Sequence, residues 1–438
     1  MPDDRLSLDQ RLLSLWDHLG LASAHVATQV PGDVAGFAQA HPDRLAGVAL
    51  CVPVRLDPSG FTRVAERVLL VASAFGLTNG VTARAAERLP GCLRVVLDGY
   101  DAPGWADVVA DRTVELTDHL RAFLGGRGAS TPNAPTRTGS HAGISYRIQG
   151  QGPALVLFPF FLAPSQWDPG IDALARHFTV VVLGGRHLGG VAALEDRARS
   201  DSYRRLVVTL LETMAPAAGE TILDVGCGSG ALDRMLARSV TQGCVITASD
   251  LNPFLLREAE ALAHEDGVAH AIRFRTGNAE ALPFADGSFD HAFSITVLEE
   301  CDADQAMREM FRVVRPGGRV GVIVRAIDMP QWWHLDLPDA LRRKVDVPPQ
   351  SVAGRGVADR SLYRRMIRAG FGALRCFPSL VTLDAPDGPI WRYREDHVLS
   401  LLTTEETPIW RDAVATARAE GLLFMANPLH AVVGTKPA

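Results

Sequence analysis

Short apolar runs separated by longer amphipathic stretches fill the second half of the chain and predict an alternation of strands and helices. The predicted strands cover residues 221–225, 244–249, 272–275, 289–295, 319–324 and 373–377, with a closing hairpin partner around 429–434. This alternation is typical of an α/β fold built on a doubly wound, mostly parallel sheet. Because ligands bind at the carboxyl ends of such strands, we expect Asp224, Asp250 and Asn278 to converge there.

A glycine-rich turn, which we call the glycine loop (Gly226–Gly230), follows the first of these strands. Its three glycines let the backbone turn sharply and approach a ligand where a Cβ would collide. A helix predicted at residues 231–240 then presents its free N–H groups to that ligand. The loop residues that we expect at the ligand are Gly226, Cys227, Gly228 and Gly230.

The glycine loop alone leaves two classes of cofactor open. Gly226, Gly228 and Ala231, followed by Asp250, also satisfy the dinucleotide pattern G-x-G-x-x-G/A. Asp224 favours the other class, since a carboxylate two residues before the first glycine can meet the cationic amino-acid end of a zwitterionic nucleoside. Dinucleotide sites usually carry an apolar residue at that position.

Polar residues also follow the next two strands. Asp250 ends the second strand, where its carboxylate can accept hydrogen bonds from both hydroxyls of a ribose. Asn252 caps the next helix and Pro253 takes its first position, so Leu251 is held in the turn as an apolar wall for a flat ring. The turn Asn278–Glu280 follows the third strand and offers an amide, an N–H and a carboxylate that could read an adenine edge.

The glycine loop and four later motifs occur in a familiar order. These are Asp224-Val-Gly-Cys-Gly-Ser-Gly230, Ser249-Asp-Leu-Asn-Pro253, Gly277-Asn-Ala-Glu-Ala-Leu-Pro-Phe284, Asp286-Gly-Ser-Phe-Asp290 and Arg315-Pro-Gly-Gly318. Together they resemble the class I S-adenosylmethionine-dependent methyltransferases, in the branch that includes the ubiquinone-type methyltransferases. The resemblance covers roughly residues 195–330 in motif detail.

The resemblance implies a Rossmann-like, seven-stranded methyltransferase domain at residues 191–438 with S-adenosylmethionine as its cofactor. Family members often carry Asp where this chain has Asn278, so an acceptor for the adenine amino group remains but its charge does not. The cofactor-binding residues that we expect are Asp224, Gly226, Cys227, Gly228, Gly230, Asp250, Leu251, Asn252, Asn278, Ala279, Glu280 and Ser294.

Residues near the end of the fourth strand lie where the resemblance places the methyl group. Glu299 and His334 are the candidates for a general base, which is needed only if the acceptor must lose a proton. Tryptophans in the insertions 326–357 and 384–420 either pack a cap or suit an apolar or ring-bearing small substrate. The expected reaction is therefore methyl transfer to a small, apolar or aromatic-bearing molecule.

The first 190 residues resemble another family in reversed order. Asp17–Ala35 matches the helix, strand and nucleophile elbow of an α/β-hydrolase, and residues 1–124 resemble the C-terminal half of that fold. A Gly/Ser/Thr/Pro-rich linker at 125–142 follows, and residues 143–190 resemble the N-terminal half. The two pieces either close into one circularly permuted domain, pack separately on the methyltransferase, or form a dimer contact.

No hydrolase triad is visible in these segments. The elbow G-x-S-x-G has Gln29 where serine is expected, the acid position falls near Phe75, and the histidine position is Tyr100. Glutamine cannot serve as an activated acyl nucleophile. We therefore predict a hydrolase-like fold without its chemistry.

Composition narrows the function classes only slightly. A net charge of −6 and a pI near 6.1 argue against general nucleic-acid binding. The six cysteines form no C-x-x-C pair, the N-terminus lacks signal-peptide regions, and no apolar run reaches the ~18 residues that span a bilayer. We expect a soluble cytoplasmic enzyme; a protein that binds S-adenosylmethionine without methyl transfer and a nicotinamide oxidoreductase remain as alternatives.

Overall fold

A computed structural model describes residues 6–101, 107–133, 136–239, 243–384, 386, 388–403 and 405–438, except the side chains of 239 and 400. The chain divides into two compact units, Met1–Ala192 and Ala193–Ala438. In the part of the chain that the structure describes, no helix is long and apolar enough to cross a membrane.

The first unit alternates strands and helices. Its strands are β1 (Ala24–Thr28), β2 (Leu45–Cys51), β3 (Val68–Ser73), β4 (Leu93–Leu97), β5 (Thr138–His141), β6 (Ile144–Gly150), β7 (Ala154–Leu157) and β8 (Thr179–Gly184). Its helices are α1 (Leu8–His18), α2 (Gly32–Ala40), α3 (Gly76–Ala86), α4 (Val108–Asp111), α5 (Thr113–Leu124) and α6 (Asp168–Ala175), and α7 (Gly189–Arg199) crosses the boundary to the second unit.

The segments before and after the predicted linker both contribute strands to a single sheet in the first unit. Among the described residues the strand order is β4-β3-β2-β1-β7-β8-β6-β5. In this order the first six strands, from β4 through β1 to β8, pair in parallel. The last two, β6 and β5, are antiparallel: β6 pairs with both β8 and β5. The residues of β3 are all buried, as expected for a strand that is covered on both faces. Residues 138–141, which the sequence assigns to the linker, form β5 because they pair with β6.

The second unit also alternates strands and helices. Its strands are β9 (Thr221–Val225), β10 (Val245–Asp250), β11 (Ile272–Thr276), β12 (Phe289–Ile295), β13 (Val314–Arg325), β14 (Trp332–Trp333), β15 (Gly372–Cys376), β16 (Ser379–Leu383) and β17 (Met425–Thr435). Its helices are α8 (Asp201–Met214), α9 (Ala231–Ser239), α10 (Pro253–Glu265), α11 (Ala303–Val313), α12 (Asp339–Val345), α13 (Ser361–Arg368), α14 (Pro389–Leu401) and α15 (Glu406–Ala419).

The sheet of the second unit is doubly wound as the sequence predicts, but among the described residues it has nine strands rather than seven, because the short strands β14 and β16 also pair with β17. Its order in the described residues is β11-β10-β9-β12-β13-β17-β14, with β15 and β16 also paired to β17. The pairs from β11 to β13 are parallel, whereas β17 runs antiparallel to its neighbours. The strands therefore end at one edge with β9, β10 and β12 side by side, which places the glycine loop there.

Two boundaries differ from the prediction by more than one residue, namely the starts of β13 and β17. β13 begins at Val314 rather than at 319, because Val314 already pairs with Phe289 before a register shift takes up the residues of the Pro-Gly-Gly turn. The sheet partner predicted near 429–434 is the longer β17, which pairs with four strands. The predicted end of α9 near residue 240 lies outside the described residues.

A cap formed by β14, α12, α14 and α15 encloses a core of its own. The rings of Trp391 and Trp410 lie 5.3 and 5.0 Å from the ring of Trp333, both edge to face. All three side chains are buried, whereas Trp332 is 47% exposed. The sequence left open whether these tryptophans form substrate walls. In the structure Trp333 packs against both Trp391 and Trp410, and the three rings stabilise the cap.

Candidate cofactor site

The glycine loop connects β9 to α9 and is fixed by the next strand. The N–H groups of Gly226 and Cys227 both donate to the carbonyl oxygen of Ser249 on β10, at 2.7 and 3.0 Å. Gly226 has a φ of +84°, and a Cβ there would lie 2.2 Å from a methyl group of Val297. Only glycine fits this position without strain, because both the conformation and the close approach exclude a side chain.

Asp250 connects the glycine loop to the turn after β10. Its Oδ2 accepts the N–H of Gly228 at 3.0 Å and its Oδ1 accepts the N–H of Asn252 at 2.9 Å. Asn252 caps α10 by accepting the N–H groups of Phe254 and Leu255. Burial raises the pKa of Asp250. Each carboxylate oxygen keeps a further lone pair for a ligand hydroxyl.

Leu251 and the Asn278 turn flank this strand end. Leu251 is 65% exposed, as expected for an apolar residue that would contact a ligand. The side chain of Asn278 accepts the N–H of Glu280 at 2.9 Å, which closes the turn. One oxygen of Glu280 accepts the N–H of Asp302 at 2.8 Å. Glu280 therefore fixes the start of α11, and a role for Asn278, Ala279 and Glu280 in reading adenine stays a prediction.

Two acidic side chains lie buried beside the glycine loop. Asp224 on β9 is 2% exposed, and Asp233 in the first turns of α9 is fully buried. Burial first, and then the charges of Asp233 and Asp250, raise the pKa of Asp224 well above its usual value. A positive ligand group beside Asp224 would relieve this cost, as the sequence predicts for an ammonium group.

Ser294 lies near the end of β12, and Glu299 lies in the segment after this strand. The hydroxyl of Ser294 donates to the carbonyl of Val225 at 2.8 Å and thus joins β12 to β9. Glu299 is 1% exposed, and its Oε1 accepts the N–H of Arg325 at 2.7 Å. Its Oε2 is buried and has no hydrogen-bond partner among the described residues. Burial raises the pKa of Glu299 to about 7.

His334 directly follows β14, the strand of the cap. Its Nδ1 hydrogen-bonds with the carbonyl of Leu422 at 2.8 Å, and its ring stacks on Phe424 with the centroids 4.8 Å apart. These contacts give the imidazole a structural role in the cap. Its role as a base stays a prediction.

A buried ionic network between α7 and α9 fixes the glycine loop, and the sequence did not predict it. Glu195 of α7 accepts the hydroxyl of Ser229 at 2.7 Å and forms an ion pair with Arg234 of α9 at 2.5 Å. Arg234 also donates to the carbonyl of Ser229 at 2.6 Å and pairs with Asp266 at 2.8 Å. The glycine loop is therefore fixed by two helices in addition to β10.

Two further polar groups were missed near Glu299 and Asp224. The hydroxyl of Tyr203 on α8 is buried and has no hydrogen-bond partner in the described ranges. Burial raises its pKa, and the charges of Asp224 and Glu299 raise it further. Arg197 lies over the Tyr203 ring at 5.0 Å and donates to the Thr296 hydroxyl at 3.0 Å. The Tyr203 hydroxyl, one oxygen of Glu299 and both oxygens of Asp233 thus have no hydrogen-bond partner among the described residues, as a polar ligand site requires.

One signal in the sequence could have indicated Asp233. It precedes Leu236 by three residues and Ala237 by four, and these positions share a helix face. Leu236 is a core residue, so the helical period places Asp233 on the buried side of α9. No comparable signal indicates Glu195, because its partners are distant in sequence.

Comparison with known proteins identifies the second unit. A family model described as a methyltransferase domain matches residues 223–322. The O-methyltransferase resE of Aspergillus sclerotiorum is 36% identical over 200 residues, which are 43% of this chain and 72% of resE. The ubiquinone/menaquinone biosynthesis C-methyltransferase UbiE of Hahella chejuensis is 38% identical over 107 residues, or 24% of this chain and only 43% of UbiE.

A solved structure, YcgJ from Bacillus subtilis, is 20% identical, with coverage of 54% of this chain and 99% of YcgJ and a TM-score of 0.37. The family model and the match to resE define the family of the chain. The chain therefore belongs to the class I S-adenosylmethionine-dependent methyltransferases, with a Rossmann-like α/β fold and S-adenosylmethionine as its cofactor.

Proposed function

We propose that the second unit methylates a small, apolar or ring-bearing molecule at an atom that loses a proton in the reaction. The observation that carries this proposal is Glu299, a buried carboxylate after β12 with one oxygen free of partners in the described residues. A carboxylate in that state can accept a proton from an acceptor at neutral pH.

The residues at the strand ends fit S-adenosylmethionine. Asp224 would hold the ammonium group, Asp250 the ribose hydroxyls and Leu251 one face of the adenine ring, while the glycine loop leaves room for the ligand. The cofactor would supply a methyl group from its sulfonium: the acceptor would bond to the methyl carbon in line as the carbon–sulfur bond breaks, and the sulfur would leave as the thioether of S-adenosylhomocysteine. The protein must therefore hold the acceptor at attack distance and remove its proton.

Glu299 is held in place for that task. Arg325 fixes Oε1 through its N–H, and its guanidinium Nε lies 3.7 Å from the same oxygen. Burial keeps the pKa of Glu299 at about 7, so the group ionises at neutral pH and can return the proton to solvent afterwards. Tyr203 would donate its hydroxyl hydrogen to the bound acceptor, since burial raises its pKa and keeps it protonated.

An acceptor screen tests the proposed substrate class. Small phenols, other ring-bearing acids and apolar alcohols, each with S-adenosylmethionine, should yield S-adenosylhomocysteine above the acceptor-free background. Product formation only with amines or with large polar substrates would contradict the substrate class. Cofactor binding without turnover on any acceptor would favour the alternative of a binding protein without methyl transfer.

Asp250→Ala should weaken binding of S-adenosylhomocysteine by about 1.5 to 3 kcal/mol, roughly ten- to a hundredfold in Kd, because charged hydrogen-bond acceptors for the ribose are lost. Isothermal titration calorimetry measures this directly. Asp286→Ala is the control, since the side chain of Asp286 is 81% exposed and pairs with Arg312. An unchanged Kd for Asp250→Ala would refute the ribose assignment.

We also propose that the first unit is a circularly permuted α/β-hydrolase-like domain without hydrolase chemistry. The pairing of β1 with β7 supports it, because it joins the two halves at the centre of one sheet. Gln29 follows β1 where the nucleophile is expected, and its amide oxygen accepts the N–H of Phe161 at 3.0 Å. The described residues with positive φ do not include Gln29, so the strain of a nucleophile elbow is missing as well.

Gln29→Ser should create no esterase activity. A serine there has no base, because the hydroxyl of Tyr100 donates to Asp111 at 2.8 Å and Phe75 is 62% exposed and apolar. The substitution should instead cost about 1 to 3 kcal/mol of stability, since the N–H of Phe161 loses its acceptor. Hydrolysis of p-nitrophenyl acetate and thermal unfolding measure both; an ester burst would show that a latent triad exists.

A further inference from the structure

Asp233 is a buried acid without a donor. It is fully buried in α9, and neither carboxylate oxygen has a hydrogen-bond partner in the described part of the chain. Charged side chains are almost never buried without a partner. The group that faces it is the carboxyl of Asp224, which is 2% exposed.

Two carboxylates cannot bond to each other, because both groups only accept hydrogen bonds. A hydrogen bond between Asp224 and Asp233 forms only when one of them carries a proton. Burial raises the pKa of both acids, and the charges of Asp233 and Asp250 raise the pKa of Asp224 further. Two buried carboxylates that face each other cannot both ionise without a counter-charge, so the two groups titrate as a unit.

The surroundings supply little positive charge. Arg234 follows Asp233 directly and lowers the pKa of Asp233, but its guanidinium is bonded to Glu195, Asp266 and the carbonyl of Ser229. The other ionisable groups that face the two acids are negative or neutral: Asp250 of β10, Cys227 of the glycine loop and Tyr203 of α8. An external cation is therefore required for both acids to ionise.

We propose that Asp224 and Asp233 form an acid pair that holds one proton in the cofactor-free protein and releases it to solvent when the ammonium group of the cofactor binds beside Asp224. This inference rests on the cofactor site proposed above. Asp233 acts through Asp224 and is a positioning residue. Cofactor binding is consequently coupled to pH. The affinity for the cofactor rises as the pH rises towards 7, because a smaller fraction of the protein molecules then carries the proton that binding must release.

Calorimetric titration with S-adenosylhomocysteine at pH 5.5, 6.0 and 6.5, in two buffers of different ionisation enthalpy, counts the released protons. The ligand amine stays charged in this range. The wild-type protein should release close to one proton, and its Kd should fall about tenfold per pH unit. Asp233→Asn should release almost none and show a flat Kd, because the amide donates to an ionised Asp224.

Two controls separate the pair from other titrating groups. 5′-Methylthioadenosine lacks the amino-acid portion, so it should bind the wild-type protein without proton release. Asp286→Asn changes an exposed carboxylate and should behave as wild type. If Asp233→Asn does not fold, the comparison of the two ligands on the wild-type protein still decides.

Binding of S-adenosylhomocysteine without proton release would overturn the acid pair and leave the cofactor site intact. Equal proton release with both ligands would also overturn it, because the ammonium group would not be the cause. Absence of any binding would overturn the proposed cofactor site and, with it, the pair.

Discussion

Arg234→Met should lower the free energy of unfolding by about 3 to 5 kcal/mol. The side chain of Arg234 is 4% exposed, and its guanidinium lies between two carboxylates, Glu195 at 2.5 Å and Asp266 at 2.8 Å. Methionine fills the space but leaves both buried carboxylates without a cation, and removal of one partner from a buried network has a cost of this size. The carbonyl of Ser229 in the glycine loop also loses its donor.

Chemical unfolding measures this cost. Because the chain has two compact units, the loss is read from the unfolding transition that S-adenosylhomocysteine shifts. Arg238→Met is the matched control, because Arg238 contacts the same Asp266 at 3.2 Å from one turn later and is 50% exposed. It should change stability by less than about 1 kcal/mol. Equal losses in both variants would mean that the network stabilises the unit no more than a surface ion pair.

Addition of Glu195→Gln to Arg234→Met should restore part of the lost stability. The second change removes one of the two uncompensated charges, so the double variant should be more stable than the sum of the single changes predicts. Strictly additive losses would indicate that Glu195 and Arg234 act independently.

Glu299→Gln should lower kcat by about a hundred- to ten-thousandfold with little change in the Kd of the cofactor. The amide cannot accept the acceptor's proton, and general-base catalysis contributes a factor of that size. The volume and the bond to the N–H of Arg325 can both be kept by glutamine. The rate is measured with an acceptor found in the screen and with saturating cofactor.

The pH profile gives a second test of Glu299. Its pKa of about 7 means that the ionised base is lost as the pH falls, so kcat should drop about tenfold per unit below pH 7. Saturating cofactor removes the pH dependence of cofactor binding from this profile. Glu300→Gln is the control, because Glu300 is 51% exposed and lies 3.7 Å from the same Arg325. Full activity of Glu299→Gln would exclude it as the base.

The parts of the fold that the sequence predicts well depend on local patterns. β12 covers Phe289–Ile295 as predicted, because a short segment rich in apolar residues between polar turns favours a strand. The glycine loop lies at the end of β9 because the required backbone conformations are available mainly to glycine. Asp224 and Asp250 reach one edge because parallel strands end together.

The remaining features depend on contacts between distant segments. Glu195 and Arg234 are charged residues of amphipathic helices, and their sequence gives no reason to bury them. Trp333, Trp391 and Trp410 illustrate the same difficulty, since an aromatic side chain suits a substrate wall and a cap core equally well. Which of these roles an aromatic takes is decided by its tertiary neighbours.

The strand order of the first unit has a consequence for protein synthesis. His25 of β1 pairs with Leu155 of β7, 130 residues later in the chain. While the ribosome makes the intervening segment, the edge of β1 that later pairs with β7 has no strand beside it. Unpaired strand edges promote aggregation. The segment already synthesised should therefore depend on chaperones until residues 154–184 emerge and close the sheet.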